Sequence, residues 1–341
     1  MRVLQVIAGG DYGGAEAFYL RLVLALHRAG LEQRAVIRTN QRRATILREG
    51  GMAPIQLRFG GPLDIASRLG MRRAIRDFRP NLVLTWMNRA TNFCPRSRQF
   101  IHVGRIGGYY DVKYYKNCDH VIGNTEDIVG YLQNAGWPAE RTHYLPNFVD
   151  GELAQPASRA ELYTPANAPL LLALGRLHES KGFDVLIRAL ELAPNAYLWI
   201  AGEGKLRSQL EAQALRSGVK PRIRFLGWRD DVSALLAAAD VFVCSSRHEP
   251  LGNVVIEAWA QGCPVISTDS QGPGELISQM RNGILVPVDD AQTMGKAITY
   301  LFNDNNLLQM LSRNGRESYE KGFTENLVVR KYMEFFEKSA A

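Results

Sequence analysis

Two glutamates, Glu249 and Glu257, are separated by seven residues in the stretch HEPLGNVVIEAW. Pro-Leu-Gly-Asn follows the first glutamate, and an apolar run surrounds the second. Asn253 is a good N-cap residue, which predicts a helix whose first residue is Val254. Glu257 then lies early in this helix in a largely buried environment, where a carboxylate needs strong polar partners.

Three kinds of chemistry use a pair of carboxylates. A glycosidase holds two carboxyl groups about 5–5.5 or 6.5–9.5 Å apart, a separation that the sequence does not exclude. A metal site is disfavoured, because no D-x-D motif or histidine cluster accompanies the pair. A polyhydroxy ligand suits both acids, since an ionised carboxylate accepts hydrogen bonds from adjacent ribose or sugar hydroxyls. Stabilisation of the helix dipole would explain an exposed acid but suits Glu257 poorly.

A basic pair, Arg176 and Lys181, lies in the stretch LGRLHESKGFDVLIRAL. The apolar strand before it ends at Gly175-Arg176, and Lys181 comes just before the next helix. Open α/β sheets bind ligands at this carboxyl edge, so the pair is predicted to hold a diphosphate. Neutralising the charge of a departing diphosphate is electrostatic catalysis. Without this position at the edge of a sheet, the same pair would indicate solvated bases beside a turn.

A glycine-rich loop, AGGDYGGAE, joins the first strand to the first helix. Backbone N–H groups at such a helix start form an anion site, although a tight strand–helix turn also favours glycine. Gly10, Gly13 and Gly14 do not fit G-x-G-x-x-G, and no acid ends the second strand. A nicotinamide dinucleotide site is therefore disfavoured.

The elements that must position these residues repeat in two cycles of alternating strands and helices, typical of parallel sheets covered on both faces. The pattern predicts an α/β protein with a Rossmann-like domain over 1–152 and a second over 169–320. The stretch 153–168 is rich in Pro and Ala and is predicted as a linker. A lone amphipathic helix is predicted within 321–341.

The composition, 46% hydrophobic and 22% charged, is that of an ordinary globular protein. No window approaches the roughly 20 apolar residues of a membrane span, and the N-terminal apolar run is too short for a signal peptide. We therefore expect a cytoplasmic protein. Its four cysteines lack metal-ligand spacing, which predicts reduced, mostly buried thiols.

The net charge of +7 is unevenly distributed. Residues 1–150 carry 21 Lys and Arg against 12 Asp and Glu, while the remainder carries 20 against 22. This asymmetry indicates an anionic partner for the first half, either nucleic acid, anionic lipid or a phosphorylated substrate. Nine arginines crowd one segment: Arg42, Arg43, Arg48, Arg58, Arg68, Arg72, Arg73, Arg76 and Arg79.

Two stretches of the first half combine bases with apolar or aromatic residues. ASRLGMRRAIRDF sets Leu69, Ile75 and Phe78 against a basic face, which indicates either a membrane-surface helix or a packed helix with a solvated face. RIGGYYDVKYYKN combines tyrosines with lysines. Base stacking on nucleic acid is one interpretation. The adjacent Gly-rich loop favours a glycan or lipid acceptor, and we expect the first domain to dock on an anionic membrane or glycolipid.

Four stretches of the second half resemble glycosyltransferase family 4. They are GRLHESKGFDVLIRAL, LWIAGEGKLRSQLE, IRFLGWRDDV and HEPLGNVVIEAWAQGCPVISTDSQGPGELI, and the last matches the family's E-x7-E motif. The first half matches more loosely, through GGAE and LPNFVD. The resemblance implies a retaining, metal-independent, nucleotide-sugar-dependent transferase of the GT-B fold. In that fold two Rossmann-like domains face each other across a cleft, and a C-terminal helix crosses back onto the first.

The resemblance also implies roles for individual residues. The expected catalytic residues are Arg176, Lys181 and Glu249. The expected donor-binding residues are Gly13, Gly14, Arg176, Lys181, Arg229, Glu249, Leu251, Gly252, Asn253 and Glu257, with Trp228 bordering the base. Acceptor-side candidates are Glu16, Arg105, Tyr109 and Lys113. No metal or cofactor is expected, because the nucleotide sugar is a substrate.

The resemblance fails at one position of the first half. Many members carry a histidine near the reacting centre, after a late strand of the first domain. Here that strand reads FIHVGRIGGYYD, in which His102 lies within the strand and Arg105 near its end. His102 is therefore predicted to be a packed strand residue, and Arg105 to take the functional position and bind an anionic acceptor.

The function predicted is transfer of a sugar, from UDP-sugar before GDP- or ADP-sugar, to a cell-envelope glycan or a lipid-linked acceptor such as lipopolysaccharide core. A GT-B phosphorylase, a nucleotide-sugar epimerase and a non-catalytic nucleotide-sugar-binding protein are the alternatives. We expect a monomer that does not bind nucleic acid and that contacts the inner face of the cytoplasmic membrane.

Overall fold

The computed structural model describes residues 1–11, 13–61 and 63–340. The chain forms two compact units. The first comprises Met1–Phe148 together with the C-terminal segment that begins at Glu325, and the second comprises Val149–Thr324. Each unit is a parallel sheet with helices packed on it.

The first unit is built on parallel strands in the order β3-β2-β1-β4-β5-β6-β7. The strands are β1 (Arg2–Ile7), β2 (Glu32–Arg38), β3 (Ile55–Leu57), β4 (Leu82–Trp86), β5 (Ile101–Ile106), β6 (His120–Gly123) and β7 (Thr142–Tyr144). In the central strand β1, Val6 is paired with Val36 on one side and Thr85 on the other. The strand order reverses between β1 and β4, which in open α/β sheets creates a crevice at the carboxyl edge.

The helices that follow these strands are α1 (Gly14–Arg28), α2 (Gln41–Glu49), α3 (Ile65–Phe78), α4 (Met87–Phe93) and α5 (Glu126–Asn134). Side-chain caps fix the starts of three of them, because each cap accepts a hydrogen bond from an otherwise unpaired N–H group. Asn40 accepts from Arg43 N, Asp64 from Ser67 N, and Thr125 from Ile128 N.

The second unit repeats this plan with strands in the order β10-β9-β8-β11-β12-β13. Its strands are β8 (Leu170–Leu174), β9 (Tyr197–Ala201), β10 (Ile223–Gly227), β11 (Val241–Cys244), β12 (Val265–Thr268) and β13 (Ile284–Val286). Its helices are α6 (Phe183–Glu191), α7 (Arg207–Arg216), α8 (Val232–Ala238), α9 (Asn253–Ala260), α10 (Gln271–Leu276), α11 (Ala291–Asn303) and α12 (Asn305–Gly322). Strands β8 and β11 are buried along their whole length, as their near-continuous apolar sequences require.

The stretch 153–168, predicted as a linker, belongs to the second unit and is held there by hydrogen bonds. The Arg159 guanidinium donates to Ala238 O at 2.7 Å and to the Asp240 carboxylate at 2.8 Å. The indole N–H of Trp199 donates to the Thr164 hydroxyl at 2.8 Å. The segment therefore covers one side of the second sheet.

The last helix, α13 (Glu325–Ala340), groups with the first unit. It begins four residues later than the predicted segment, because α12 continues to Gly322. Val328, Tyr332 and Phe336 are buried in the same core as α1 and β1. An ion pair between Arg28 and Glu325, at 2.6 Å, joins the end of α1 to the start of α13.

Three further observations concern the described part of the chain as a whole. No helix within it is long and apolar enough to cross a membrane. It contains no group of three or more His, Cys, Asp and Glu residues arranged to hold a metal ion. All four cysteines are free and buried, which confirms that part of the prediction.

Candidate functional site

An ion pair lies at the carboxyl edge of the second sheet, where the strand order reverses between β8 and β11. The Lys181 ammonium, in the turn after β8, donates to Glu249 Oε2, in the loop after β11. The two side chains remain 21% and 14% exposed. Sequence predicted both residues as ligand contacts, and the structure brings them together at the position where such sheets bind ligands.

Glycine geometry positions Lys181. Gly182 follows it with φ 61°, a left-handed conformation that glycine adopts without strain. A Cβ at this position would lie 2.0 Å from the carbonyl oxygen of Ser245, so a larger residue does not fit. The Ser245 hydroxyl donates to Lys181 O at 2.8 Å. The turn after β8 is thus fastened to the end of β11.

Arg247, which the sequence analysis did not single out, anchors the loop that carries Glu249. Its guanidinium donates to both oxygens of the Asp184 carboxylate, at 2.8 and 2.7 Å, and to Asp289 at 2.6 Å. It also donates to Glu179 O at 2.7 Å. Burial alone would raise the pKa of the Asp184 carboxyl, but the hydrogen bonds from Arg247 lower it below its usual value. Arg247 therefore fixes the loop that carries Glu249 against the start of α6.

The loop between the two glutamates is packed against the turn after β12. Gly272 N donates to Glu249 O at 2.8 Å, and a Cβ on Gly272 would lie 2.3 Å from the backbone of Leu251. The N–H groups of Leu251 and Gly252 donate to no residue in the described part of the chain. They are available to an anionic or hydroxyl ligand, as expected near a helix start.

Helix α9 begins one residue earlier than predicted. Its first residue is Asn253 and its N-cap is Gly252, with φ 78° and no side-chain cap, so the prediction that Asn253 caps the helix is wrong. Glycine takes the cap because the left-handed backbone there excludes most other residues. Glu257 is half-buried, on a helix where Ile256 and Ala258 are buried. The sequence placed Glu257 in a largely buried environment, and the residue itself is half-buried.

Arg176 and Arg229 follow strands β8 and β10 at the same edge. Arg176 is exposed and makes no hydrogen bond or ion pair within the described residues. Arg229 donates to the Asp231 carboxylate at 2.7 and 2.5 Å, which raises the pKa of the guanidinium and lowers that of Asp231. Trp228 is 61% exposed beside it. Of these two arginines, Arg176 therefore has no charge partner among the described residues, whereas the charge of Arg229 is already compensated.

The glycine loop of the first unit is closed by Glu16. Gly13 is the N-cap of α1 and Gly14 its first residue. The Glu16 carboxylate accepts from Gly10 N at 2.7 Å, so this acceptor-side candidate also shapes its own loop. Arg43, one of the nine clustered arginines, is buried and donates to Gly10 O at 2.7 Å, a contact that the sequence analysis did not predict.

The structure corrects the role predicted for Arg105. Its side chain is 3% exposed, donates from Nε to Tyr332 Oη at 2.9 Å, and hydrogen-bonds to Asn147 Oδ1. Its guanidinium lies 4.4 Å from the ring centre of Trp86 and 4.8 Å from that of Phe18. A side chain enclosed in this way cannot reach an acceptor, so the predicted acceptor role is wrong. Its contacts instead hold α13 on the first sheet.

His102 is buried within β5, which confirms the prediction of a packed strand residue. Its Nε2 lies 3.0 Å from the Thr85 hydroxyl. Burial lowers the pKa of the imidazole to about 4, although the carbonyl of Asn117 and the charge of Asp119 act in the opposite direction. The ring is therefore neutral at physiological pH.

The remaining acceptor-side candidates lie after β5 and are partly exposed. The Tyr109 hydroxyl hydrogen-bonds to the Asp127 carboxylate at the start of α5. Lys113 pairs with Asp111 at 2.6 Å and stays 63% exposed. Tyr115, in contrast, is fully buried, and its hydroxyl donates to Asn88 Oδ1 at 2.6 Å, so it is not one of the exposed tyrosines of this stretch.

Comparisons with known proteins cover nearly the whole chain. The family model "Glycosyltransferase Family 4" matches residues 12–153, and "Glycosyl transferases group 1" matches 154–318. The chain is 37% identical to the lipopolysaccharide core biosynthesis glycosyltransferase LpsE of Rhizobium meliloti, over 98% of each chain. It is 35% identical to LpsD of the same organism, over 100% of this chain and 99% of the relative.

A solved structure also resembles the whole chain. The crystal structure of Anabaena Alr3699/HepE in complex with UDP superposes with a TM-score of 0.87 and 21% identity, covering 99% of this chain and 100% of that one. Together with the two Rossmann-like units, this likeness confirms the predicted GT-B fold class.

Proposed function

The chain belongs to glycosyltransferase family 4, and from that premise we propose that it moves a sugar from a UDP-sugar to a lipopolysaccharide-core acceptor, with retention and without a metal ion. The observation that carries the proposal is the Lys181–Glu249 pair at the reversal of strand order, with the unpaired Arg176 beside it. A cation and a carboxylate held together suit a ligand that has a diphosphate next to a hydroxylated ring.

Each side chain has a distinct part in this reaction. Lys181 and Arg176 neutralise the two phosphates, and Glu249 with the Leu251 and Gly252 N–H groups holds the donor sugar. Glu257, half-buried on α9, accepts from the ribose hydroxyls. Positive charge beside the leaving diphosphate lowers the reaction barrier without a metal ion, because it stabilises the negative charge that develops on the diphosphate in the transition state.

The donor nucleotide and the acceptor are proposed from the relatives. Anabaena Alr3699/HepE was crystallised with UDP, and LpsE and LpsD are named for lipopolysaccharide core biosynthesis. The acceptor hydroxyl attacks the anomeric carbon on the face from which UDP leaves. The bond between that carbon and the phosphate oxygen breaks, and the proton passes to the leaving phosphate. Such a reaction retains configuration and needs no enzyme nucleophile.

Lipid-linked core acceptors lie at a membrane, so we place the enzyme in the cytoplasm at the inner face of the cytoplasmic membrane. The excess of bases in residues 1–150, 21 against 12 acids, supports attraction to that anionic surface.

Proton NMR of the product, formed from UDP-glucose or UDP-galactose and a truncated lipopolysaccharide core, tests the proposal. An α-linked product from the α-linked donor, formed equally well with EDTA, is expected. Inversion, or activity abolished by EDTA and restored by a divalent cation, contradicts retention or metal independence. Sugar released only to added phosphate would indicate a phosphorylase, and an isomerised free nucleotide sugar an epimerase.

A further inference from the structure

A polar pocket of about 370 Å³ lies on the first unit, between the loop that leads into β5 and the loop that leads into β6. These strands are neighbours in the parallel sheet, so the pocket is at the amino edge of that sheet. Its volume is in the range of small-molecule sites. The two loops contribute six polar lining residues: Arg96, Ser97, Arg98, Lys116, Asn117 and Asp119.

The pocket is separate from the glycine loop and from the stretch that carries Tyr109. Those segments follow β1 and β5 and therefore lie at the carboxyl edge, where open α/β sheets hold their usual ligands. The six residues of β5 set the two edges roughly 16 Å apart. A ligand in the pocket is thus a different ligand from one at the carboxyl edge of this sheet.

Hydrogen bonds fix the loop before β6 in place. His102, buried in β5, donates from its backbone N–H to Asp119 Oδ2 at 2.8 Å. Arg141, just before β7, donates to the carbonyl oxygens of Cys118 and Asp119 at 2.7 and 2.5 Å. The loop is therefore held from both neighbouring strands, and the Asp119 carboxylate keeps one oxygen turned to the backbone of β5.

Arg96 joins the two loops across the pocket. Its guanidinium donates from Nε to Asn117 Oδ1 at 2.8 Å, and Nη2 bonds to the same oxygen. Because this amide oxygen carries no net charge, the guanidinium is oriented without being neutralised. Its Nη1 donates to no residue in the part of the chain that the structure describes.

The pocket carries more positive than negative charge. Arg98 and Lys116 are exposed, and neither has an ion pair or a hydrogen bond within the described residues. With Arg96 they bring three cations to a pocket whose lining holds one carboxylate, that of Asp119. Guanidinium and ammonium groups arranged in this way are the usual contacts of a phosphate group.

We propose that this pocket binds a phosphorylated sugar, that is, a phosphate monoester on a hydroxylated ring. The phosphate oxygens accept from Arg98, Lys116 and Nη1 of Arg96, and a ring hydroxyl donates to the Asp119 carboxylate. Inorganic phosphate alone would meet that carboxylate as a repulsive charge, and an uncharged sugar would leave the three cations without a partner. A free sugar phosphate and a phosphorylated residue of a glycan offer the same chemistry.

Calorimetric titration tests the site with glucose 6-phosphate as the probe, beside inorganic phosphate and glucose at equal ionic strength. Arg98→Gln/Lys116→Gln removes two exposed cations. Arg48→Gln/Arg72→Gln is the matched control, because it removes the same charge from exposed positions on α2 and α3 of the same unit. Melting curves confirm that both variants are folded.

The wild type and the control should bind glucose 6-phosphate saturably, at least about 10-fold more tightly than inorganic phosphate, and should not bind glucose. The Arg98→Gln/Lys116→Gln variant should bind the probe at least about 10-fold more weakly, because two charge-assisted contacts are lost. The proposal is overturned if the wild type shows no saturable binding, if inorganic phosphate binds as tightly as the probe, or if this variant binds like the control.

Two further titrations separate this site from the proposed donor site. Lys181→Ala should bind glucose 6-phosphate like the wild type, and saturating UDP should not displace the probe. Loss of probe binding in either titration would place the probe at the edge of the second sheet and overturn the proposal. If UDP does not bind the wild type while glucose 6-phosphate does, the proposed function is contradicted and the amino-edge site stands.

A phosphorylated core oligosaccharide, titrated in parallel, identifies the source of the ligand. Tighter binding than that of glucose 6-phosphate indicates a phosphorylated glycan, and weaker binding indicates a free sugar phosphate. Either result supports the site, provided that Arg98→Gln/Lys116→Gln weakens the tighter of the two ligands.

Discussion

Basic side chains at the carboxyl edge are accessible in the second sheet and enclosed in the first. In the second unit Lys181 and Arg176 follow β8 and remain accessible at the edge. In the first unit Arg105, near the end of β5, is enclosed by Trp86, Phe18 and Tyr332. The two sheets share the same strand order around their central reversal, so topology alone does not decide whether a basic residue is a ligand contact or part of the core.

What differs is the element that packs beside each edge. Helix α13 belongs to the first unit, and its Tyr332 hydroxyl accepts from Arg105. Within the described residues no carboxylate pairs with Arg105, so neutral oxygens and two aromatic rings compensate its charge. The second unit keeps Lys181 accessible and pairs it with Glu249, which a ligand can displace or share.

The largest effect that follows from this contrast is on catalysis in the second unit. Lys181→Ala should lower kcat by about 10²- to 10³-fold with little change in stability, because one preorganised charge at the leaving group is removed. Steady-state transfer from UDP-sugar measures the loss. Lys205→Ala is the matched control, since Lys205 is 65% exposed and pairs with Glu179 in the same unit. Equal activity of Lys181→Ala and the control would show that the carboxyl edge of the second sheet takes no part in catalysis.

The next effect is on stability in the first unit. Arg105→Ala should lower the free energy of unfolding by about 3 kcal/mol, because it leaves a cavity and deprives Tyr332 and Asn147 of a donor. Tyr332→Phe should cost about 1 kcal/mol, the value of one hydrogen bond. Urea unfolding measures both changes. A variant of Arg105 that keeps its stability but loses transfer would show that the residue belongs to the reacting centre after all.

A smaller effect is the response of the first unit to acid. The pKa of His102 is about 4 in the folded chain and 6.5 as the unfolded reference, so the unfolded state binds more protons between these values. Stability is therefore full above pH 6.5 and falls as the pH drops towards 4, by about 2 kcal/mol at pH 5. Unfolding curves measured between pH 7 and 5 should show this loss, and His102→Gln should remove it. If the stability of the variant falls with pH as steeply as that of the wild type, other groups take up the protons. His143, whose pKa is also lowered to about 4, is the first candidate.

The sequence predicted the second unit better than the first because its signals are local. The glycine at 182, the bases around it and the E-x7-E stretch all lie within short segments, and the strand ends that carry them adjoin in a regular parallel sheet. Family resemblance added the donor roles, and it was strongest over this same half of the chain.

The misses come from contacts that are distant in sequence or set by backbone conformation. Tyr332, which accepts from Arg105, lies 227 residues further along the chain, so no local pattern reveals that α13 covers the strand end. Arg247 reaches Asp184 across 63 residues, and Arg43 reaches Gly10 across 33. The start of α9 was misplaced because a left-handed glycine, rather than a side-chain cap, begins the helix.

Binding of UDP to the second unit's edge tests the central claim most directly. Calorimetric titration of UDP into the wild type should show saturable binding that is unaffected by EDTA, while Lys181→Ala should bind at least about 10-fold more weakly and Lys205→Ala like the wild type. Parallel melting curves with UDP-glucose, UDP-galactose, GDP-mannose and ADP-glucose identify the donor, because a ligand that binds the folded state raises Tm. If UDP binds Lys181→Ala as tightly as the wild type, or if none of these nucleotides binds the wild type, the account is contradicted.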